Sequence, residues 1–281
     1  METGHRFMTV KKTNSNISQE FDKLSIQVSL NGLSFCVLDT IENSIRYSDT
    51  ILFEEERSPY GLQKGLVALF ERHSLAEKQF SDVIVVHRNN LFSLVPKPLF
   101  DSNEMPNYLK FNTKILATDH IDYDEIEGHD MINVYVPFVN VNNYIYDLYG
   151  EFTFKHNGTV MVESLLKGNT TGQEPTCYVH IAHRQIDITV IAKKKLLLFN
   201  SFKIHTKEDL IYYLLFTLEQ LKLDTENTKL KLFGNIEEGD QLYSICYQYV
   251  KNVSIFVLPT SSYPFSNIGE EAIDFTVLNS L

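Results

Sequence analysis

The fold of this protein is decided by the stretch LSIQVSLNGLSFCVLD (residues 24–39), whose pattern returns as CYVHIAHRQIDITVIA (residues 177–192). In both stretches apolar and polar residues alternate, a short turn interrupts them, and the alternation resumes. Alternation with a period of two residues is typical of β-strands, so each stretch predicts a β-hairpin. A third strand-like run, an amphipathic helix and another apolar strand follow each hairpin. The sequence therefore predicts a duplicated βββαβ unit.

The elements of the first half follow from the hydrophobic period and the turn residues. Asn31-Gly32 predicts a two-residue hairpin turn, because both residues tolerate positive φ angles. Pro59 opens a predicted amphipathic helix at 59–75. The continuous apolar run at 83–87 is typical of a strand that is covered on both faces. Further strands are predicted at 45–53, 92–95, 131–138 and 152–155, and further helices at 105–111, 141–148 (ending at Gly150) and 160–167.

The second half repeats this order after a polar linker. Residues 168–175 (GNTTGQEP) are rich in Gly and Thr and close with Pro, which indicates a domain boundary. Thr206 is a predicted N-cap with Asp209 at the third helical position, and the helix extends to about Leu221. The remaining elements are predicted at 177–183, 186–192, 196–204, 230–233, 240–249 and 253–258. The predicted division is a flexible tail at 1–20, a first domain at 21–168 with an inserted segment at about 92–130, and a second domain at 176–281.

The composition is that of an acidic globular protein large enough for two domains. The chain has 281 residues, of which 43% are hydrophobic and 22% charged, and its net charge is −11. A chain of this charge repels phosphate backbones, so we expect no nucleic-acid partner. The densest basic run, the three lysines at 193–195, falls at an expected turn and is interpreted as a solvated hairpin tip.

The cysteines and the apolar runs indicate the compartment. Cys36, Cys177 and Cys246 are far apart, odd in number and embedded in apolar runs, which is typical of buried thiols in a reducing compartment. No CxxC spacing suggests a zinc site. The N-terminus has no apolar signal-peptide segment, and no run approaches the roughly 20 apolar residues that span a bilayer. The sequence therefore predicts a cytoplasmic protein without a transmembrane segment.

This order of elements resembles the actin-like ATPase superfamily. Residues 131–167 are similar to the end of the first domain in the actin-like scaffold proteins of type IV pilus assembly and type II secretion. The segments LVPKPLFD (94–101) and EDLIYYLLFTLEQLKLD (208–224) resemble an uncharacterised family of Bacteroidetes proteins with an actin-like fold. The resemblance extends from about residue 21 to residue 258. It implies an α/β fold of two duplicated ribonuclease H-like domains, with mixed sheets that face each other across a cleft.

The two hairpin turns depart from the phosphate motifs of active relatives. In active members of the superfamily that this chain resembles, the first turn reads roughly Asp-apolar-Gly-Thr and the second reads Asp-apolar-Gly-Gly-Gly-Thr. The Asp of the first turn reaches a metal-bound water. The corresponding residues here are Ser29-Leu30-Asn31-Gly32 and His180-Ile181-Ala182-His183-Arg184-Gln185. Both carboxylates and most glycines are missing, and the adenosine-side motif survives only as Phe233-Gly234-Asn235. Asp187 aligns with an acidic residue after the second turn, but its alternating position is also explained by a side chain facing solvent.

Six residues are candidates for cofactor binding if a nucleotide cleft is retained: Asn31, Gly32, His180, His183, Arg184 and Gly234. The Asn-Gly pair could cradle a phosphate or form only the hairpin turn. The two histidines and the arginine could bind an anion or a nucleotide in place of magnesium, or could form a polar strand face along an interdomain cleft. His180 and Arg184 would share that face if the strand stayed regular. The later glycine could accept an adenine ring or end a strand.

Acidic and histidine residues are concentrated between 119 and 130, namely Asp119, His120, Asp122, Asp124, Glu125, Glu127, His129 and Asp130. Their spacing matches neither an EF-hand nor an HExxH zinc motif. We therefore expect an exposed loop here and no metal site.

The retained frame and the missing phosphate residues predict a catalytically degenerate actin-like scaffold or adaptor. It would act through protein–protein contacts, at the interdomain cleft or at the inserted 92–130 segment, without catalytic residues or a cofactor. The alternative is a nucleotide- or anion-binding protein without efficient hydrolysis, which would take ATP. An active ATPase or kinase is least expected, because phosphoryl transfer depends on a placed metal and nucleophile. The protein partner is not identified, and a homodimer through edge strands is left open.

Overall fold

The computed structural model describes residues 21–168, 173–256 and 273–281. The predicted tail at 1–20 and residues 169–172 of the predicted linker at 168–175 lie outside the described residues. The strands of the first half are β1 (Asp22–Ser29), β2 (Gly32–Asp39), β3 (Ser44–Leu52), β4 (Asp82–Arg88), β5 (Phe92–Pro96), β6 (Asp122–Glu125), β7 (Met131–Tyr135) and β8 (Thr153–His156). Its helices are α1 (Pro59–Arg72), α2 (Met105–Leu109), α3 (Val139–Tyr149) and α4 (Asn157–Gly168).

The second half repeats the series without the inserted elements. Its strands are β9 (Thr176–Ala182), β10 (Gln185–Ala192), β11 (Lys195–Lys203), β12 (Lys229–Gly234) and β13 (Asn252–Ile255). Its helices are α5 (Lys207–Gln220), α6 (Gln241–Tyr249) and α7 (Phe275–Asn279).

Two five-stranded sheets share one strand order. Sheet I has the order β3-β2-β1-β4-β8 and sheet II the order β11-β10-β9-β12-β13. In both, the first three strands form an antiparallel meander, and the last two strands lie parallel to the first strand of the meander. The register shifts also correspond, between Val37 and Leu38 in sheet I and between Val190 and Ile191 in sheet II. The predicted duplication of a mixed α/β unit is confirmed.

Each sheet has its own outer helices, and the two sheets share an inner layer. The helices α1 and α3 cover the outer face of sheet I, and α5 and α6 cover the outer face of sheet II, because alternate strand residues and the helix stripes are apolar there. Both inner helices bridge the two sheets. The helix α4 packs on β4 and β8 of sheet I and on β11 of sheet II, α7 packs on β1 and β2 of sheet I, and the two helices contact each other. Phe275 of α7 also contacts Phe233 of sheet II.

A third sheet, with the order β5-β7-β6, is inserted between β4 and α3. One of its faces packs on α2, and the other packs on α4. Two expectations differ from this arrangement. Residues 119–130 were expected as an exposed loop, but they contain β6. The inserted segment was expected to end near 130, but its sheet includes β7. The physical reason is that sheet membership depends on strand pairing, which the pattern along one strand does not specify.

The first hairpin turn differs from the predicted Asn-Gly turn. The strands β1 and β2 close at Ser29 and Gly32, so the turn residues are Leu30 and Asn31, and neither has a positive φ. Gly32 begins β2, where a Cβ atom would lie 2.6 Å from the carbonyl oxygen of Ile51. Glycine is therefore needed for the close approach of β3 and not for the turn conformation.

Other local predictions are confirmed. Thr206 accepts a hydrogen bond from the backbone N–H of Asp209, whose carboxylate accepts one from the N–H of Thr206, so α5 begins with the predicted capping box. The helix α3 ends at Gly150, whose φ is 79°. Lys193 and Lys194 both have positive φ at the hairpin tip between β10 and β11. The three cysteines are free and buried. In the described parts of the chain, no helix is long and apolar enough to cross a membrane.

Candidate site between the two hairpins

The two hairpin turns lie on either side of a small cavity between the sheets. Its volume is about 60 Å³. Asn31 and Gly32 line it from the first hairpin, and His183 lines it from the second. The other polar lining residues are Gln27, Ser29, Ser34, Thr50, Arg88, Gln185 and Asp274. The structure thus brings three of the six candidate residues to one cavity.

A buried ion pair joins the two halves beside this cavity. Arg88 is the last residue of β4, and its Nη2 donates to Oδ2 of Asp187 in β10 at a distance of 2.5 Å. Their side chains are 4% and 0% exposed. Two charges withdrawn from water in this way depend on each other, because either one alone would be uncompensated. Asp187, for which the sequence allowed a side chain facing solvent, therefore lies in the interior.

Asp187 also accepts hydrogen bonds from side chains of its own sheet. Ser201 and Gln185 donate to its Oδ1. The Nδ1 of His180 lies 3.1 Å from its Oδ2, and because a carboxylate only accepts, this nitrogen carries the proton. Burial alone would raise the pKa of Asp187, but the charge of Arg88 and the hydrogen bond from His180 outweigh it and hold that pKa below its ordinary range. The carboxylate is therefore ionised and fully engaged.

The C-terminal segment adds a second carboxylate to this network. Oδ2 of Asp274, the residue before α7, lies 3.4 Å from Nη1 of Arg88. Thr276 donates to the side chain of Gln27 on β1, which attaches α7 to sheet I. Burial opposes the ionisation of Asp274, but His180 and Arg88 hold its pKa below the ordinary range. Arg88 thus faces one carboxylate from β10 and one from the segment before α7.

A residue of the cavity lining and a residue of the ion pair occupy equivalent positions in the two sheets. Ser34 in β2 has the same register position, counted from its hairpin, as Asp187 in β10. In sheet II this position is bonded to Arg88, whereas in sheet I the Oγ of Ser34 is buried and has no hydrogen-bond partner among the described residues. The Nε2 of His183 is a second buried atom of this kind at the cavity.

Two other candidate residues, Arg184 and Gly234, lie away from the cavity. Arg184 is exposed in the turn after β9, which ends at Ala182, so it does not share a strand face with His180 as a regular strand would have required. Gly234 has a φ of +89°, and a Cβ atom there would lie 2.3 Å from the carbonyl oxygen of Ile181 and 2.8 Å from the ring of His180. Packing of β12 on β9 explains this glycine. That any of the six residues binds a ligand stays a prediction.

The residues at this place do not fit a magnesium-bound nucleotide. Ser29 supplies no carboxylate at the first turn, and Asp187 and Asp274 already face Arg88. Among the described residues, no group of three or more His, Cys, Asp or Glu side chains could hold a metal ion. Pockets for ligands of drug size have volumes of roughly 300–1,000 Å³, several times that of this cavity.

Reasoning from the sequence missed Arg88 and Asp274. Arg88 directly follows the apolar run at 83–87, and a charged residue at the end of a covered strand is a signal that could have marked it. Asp274 lies in a C-terminal stretch without periodicity. The partner of each residue depends on how the two sheets dock, which the sequence pattern does not specify.

A second buried polar cluster joins the inserted sheet to α4. Asp124 of β6 accepts hydrogen bonds from Thr159 Oγ1, the backbone N–H of His156 and the hydroxyl of Tyr135. Burial raises the pKa of Asp124 to about 6 and lowers that of His156 to about 3. These hydrogen bonds connect β6 and β7 of the inserted sheet to the start of α4. Asp124 is therefore not part of an exposed loop, as the acidic run had suggested.

Solved structures place this architecture in a known class. The chain is similar to a Bacteroides thetaiotaomicron protein with an actin-like ATPase fold and unknown function, with 21% identity and a TM-score of 0.75 over 93% of this chain and 96% of that chain. It is also similar to a chain of the PilM–PilN type IV pilus biogenesis complex, with 12% identity and a TM-score of 0.57 over 91% and 96% of the two chains. The fold is therefore the actin-like ATPase fold.

The sequence also identifies the family. The chain belongs to the family described as "Protein of unknown function (DUF3822)", whose model matches residues 11–253. Comparison with curated proteins finds no relative of this chain. The resemblances to Bacteroidetes proteins with an actin-like fold and to the actin-like protein of pilus assembly are confirmed. The resemblance to the type II secretion protein stays a prediction.

Proposed function

We propose that this protein is a catalytically degenerate actin-like scaffold or adaptor that acts through protein–protein contacts and uses no cofactor. The observation that carries the proposal is the buried pair between Arg88 and Asp187. It lies beside the two hairpins, where by resemblance the active relatives hold phosphate and metal. Here the protein's own charges join the two halves at this place, so the frame closes without a ligand.

Two further observations support the proposal. The C-terminal segment with α7 packs on the inner face of sheet I, where it occupies part of the space between the sheets. One of the similar solved structures is a complex of two pilus biogenesis proteins, which makes a protein partner a reasonable part of the proposal. The identity of such a partner is not implied.

Calorimetric titration with ATP, with and without Mg²⁺, tests the absence of nucleotide binding. We expect no heat beyond dilution and no shift of the unfolding temperature, because the cavity is small and its neighbouring carboxylates are paired. A titration of Mg²⁺ alone controls for metal effects. Micromolar binding of ATP that is lost in His183→Asn would contradict the proposal, and Mg²⁺-dependent hydrolysis lost in the same variant would contradict it more strongly.

A binding protein for nucleotides or anions without efficient hydrolysis is the second candidate. It is favoured by the two buried atoms at the cavity that have no hydrogen-bond partner in the described chain, Ser34 Oγ and His183 Nε2. Inorganic phosphate and ATP can be compared by following the ring resonances of His183 in NMR titrations. Saturable shifts that disappear in Ser34→Ala would support this candidate, and the absence of shifts would exclude it.

A further inference from the structure

We infer that the outer face of α5 is a docking site for a segment of a protein partner that carries arginine or lysine beside apolar side chains. The inference rests on the proposed adaptor function and specifies its surface and the chemistry of its partner. The surface, here named the α5 stripe, consists of Glu208, Tyr212, Phe216 and Glu219. These residues follow one another at intervals of three or four positions, so they lie along one side of the helix.

The aromatic pair of the α5 stripe is exposed and held in place. Tyr212 is 61% exposed and Phe216 is 44% exposed. Their rings stack with centroids 6.1 Å apart and an interplanar angle of 16°. Tyr212 also meets Tyr213 edge to face, and Tyr213 stacks on Phe202 of β11 at 4.3 Å. A partner would therefore meet rings whose orientation is already restricted, which limits the entropy lost on binding.

The duplicated fold supplies an internal comparison for this surface. The helices α1 and α5 both have 14 residues, both begin after a hydroxyl N-cap that accepts a backbone hydrogen bond, and both bury leucines at corresponding positions. At the positions of Tyr212 and Phe216, α1 carries Lys64 and Ala68. The fold therefore does not require aromatic side chains there. An exposed aromatic pair that the fold does not require indicates an interaction surface.

The charges beside the rings define the chemistry of the partner. Glu208 lies one turn before Tyr212 and Glu219 lies about one turn after Phe216, and both carboxylates are exposed. Neither forms an ion pair within the described part of the chain. A cation over an aromatic face is attracted by the ring, and a nearby carboxylate adds to this attraction. The net charge of −11 further favours a cationic partner and disfavours a second copy of this chain.

Two synthetic amphipathic peptides test the inference. They share leucine positions along one helix face and carry either arginine or glutamate on the other. We expect the arginine peptide to bind the full-length protein in calorimetric titrations and the glutamate peptide not to bind. The double variant Tyr212→Gln/Phe216→Ala should weaken binding roughly tenfold or more, as the loss of aromatic anchors does in other interfaces. The matched control is Tyr60→Ala, which removes an exposed ring from α1 and should leave the affinity unchanged.

Each other outcome has a defined meaning. Equal binding of both peptides, no binding of either, or unchanged affinity of the double variant would overturn the docking site. Self-association that the double variant abolishes would show that a second copy is the occupant, which also overturns it. If the double variant does not fold, Glu208→Lys/Glu219→Lys provides a second test, since reversed charges should abolish binding of the arginine peptide. If these tests fail and the protein binds no ATP, the adaptor proposal stands but the docking site lies on another surface. If the protein binds ATP, the adaptor proposal itself is contradicted.

Discussion

At the scale of single residues, Arg88 connects three parts of the molecule, because its buried guanidinium faces both Asp187 and Asp274. Its position at the end of β4 places it between the halves, so its charge is the link between sheet I, sheet II and the C-terminal segment. Water would solvate the charge of a surface arginine, whereas the buried charge of Arg88 is stabilised by the carboxylates of the protein.

Replacing Arg88 with methionine should therefore lower the free energy of unfolding by about 3–5 kcal/mol, because Asp187 would be left charged and unpaired. Urea unfolding at neutral pH measures this loss. The double variant Arg88→Met/Asp187→Asn should recover part of it, since an amide at position 187 needs no counter-charge, while Asp274 keeps its charge without Arg88. Lys203→Met is the control, because its pair with Glu56 is exposed and such pairs contribute up to about 1 kcal/mol. Equal losses of unfolding free energy in the Arg88 and Lys203 single variants would show that the buried pair stabilises the fold no more than the exposed pair does.

Asp124 should make stability fall as the pH rises. Its pKa is raised from 3.8 to about 6 in the folded protein, so the folded state holds the proton more tightly than the unfolded state. The contribution of this protonated carboxyl to the free energy of unfolding is fully present below about pH 4. It is lost as the pH rises through about 6, a change of roughly 3 kcal/mol. The variant Asp124→Asn should lack this part of the pH dependence. Unfolding free energies of both proteins between pH 4 and 7 test this, and a difference that is constant with pH would refute it.

Gly234 and Gly239 allow backbone strain to be separated from steric overlap. Both have a positive φ, but an added Cβ atom would meet Ile181 and His180 at Gly234 and nothing within 4 Å at Gly239. We expect Gly239→Ala to lower the unfolding free energy by about 1 kcal/mol through strain alone. Gly234→Ala should lower it by about 3 kcal/mol or more, because the backbone of β9 must move. Urea unfolding measures both losses. Similar losses of unfolding free energy in the two variants would show that backbone strain, and not steric overlap, causes both.

At the scale of elements, each of the two edge strands β3 and β11 has a side chain that accepts a hydrogen bond from an outward-facing backbone N–H of the same strand. The side chain of Asp49 accepts a hydrogen bond from the N–H of Thr50, and the side chain of Asn200 accepts one from the N–H of Ser201. The two acceptors have the same register position in their sheets. The ladders place both N–H groups on the free side of the edge strand, so a donor that another chain would otherwise use is already bonded.

Removing these side-chain caps should increase self-association. We expect Asp49→Val/Asn200→Val to associate at lower protein concentration than the unmodified chain, because the edge donors become available to a second strand. Sedimentation velocity over a concentration series measures the change. Asn227→Val, in a loop, is the control and should behave like the unmodified chain. If the double variant does not associate more strongly, the edges are protected in another way. A native homodimer through these strands stays a prediction.

At the scale of the whole molecule, the helices α4 and α7 make each half depend on the other. The helix α4 follows the strands of the first half and packs on both sheets, while α7 ends the second half and packs on sheet I. The side chains of α7 cover Cys36, Leu38 and Ile45 on the inner face of sheet I. An interface of this kind should resist separation of the halves unless one of these helices leaves.

A chain that ends before Ile273 should expose Cys36 to thiol reagents. In the full-length protein Cys36 is buried, burial raises the pKa of its thiol, and its reaction should be slow. Cys177 lies in the core of sheet II under α5 and α6, so it should stay unreactive in both proteins and serve as the control. Labelling followed by mass spectrometry gives both rates. Simultaneous reaction of both thiols would indicate general unfolding, and an unreactive Cys36 would show that α7 is not its cover.

The secondary-structure elements and their duplication follow from local patterns in the sequence. Alternation at 24–39 and 177–192, the apolar stripes of the helices and the capping box of α5 are properties of residues close together in the chain, and local conformation follows from them. The order of these elements is therefore enough to predict the actin-like fold. Of the site, the sequence predicted three residues of the cavity lining, Asn31, Gly32 and His183, because the motif positions mark the turns.

The contacts of the polar strand faces, in contrast, depend on how the two sheets dock. Gln27, His180 and Asp187 alternate with apolar residues as solvent-facing residues do, yet all three are buried because the inner faces of the two sheets face each other. Arg88 and Asp187 are 99 residues apart in sequence, and they pair only when the sheets dock. The physical reason is that strand and helix preferences act over a few neighbouring residues, whereas desolvation and charge pairing depend on groups that folding brings together from distant parts of the chain.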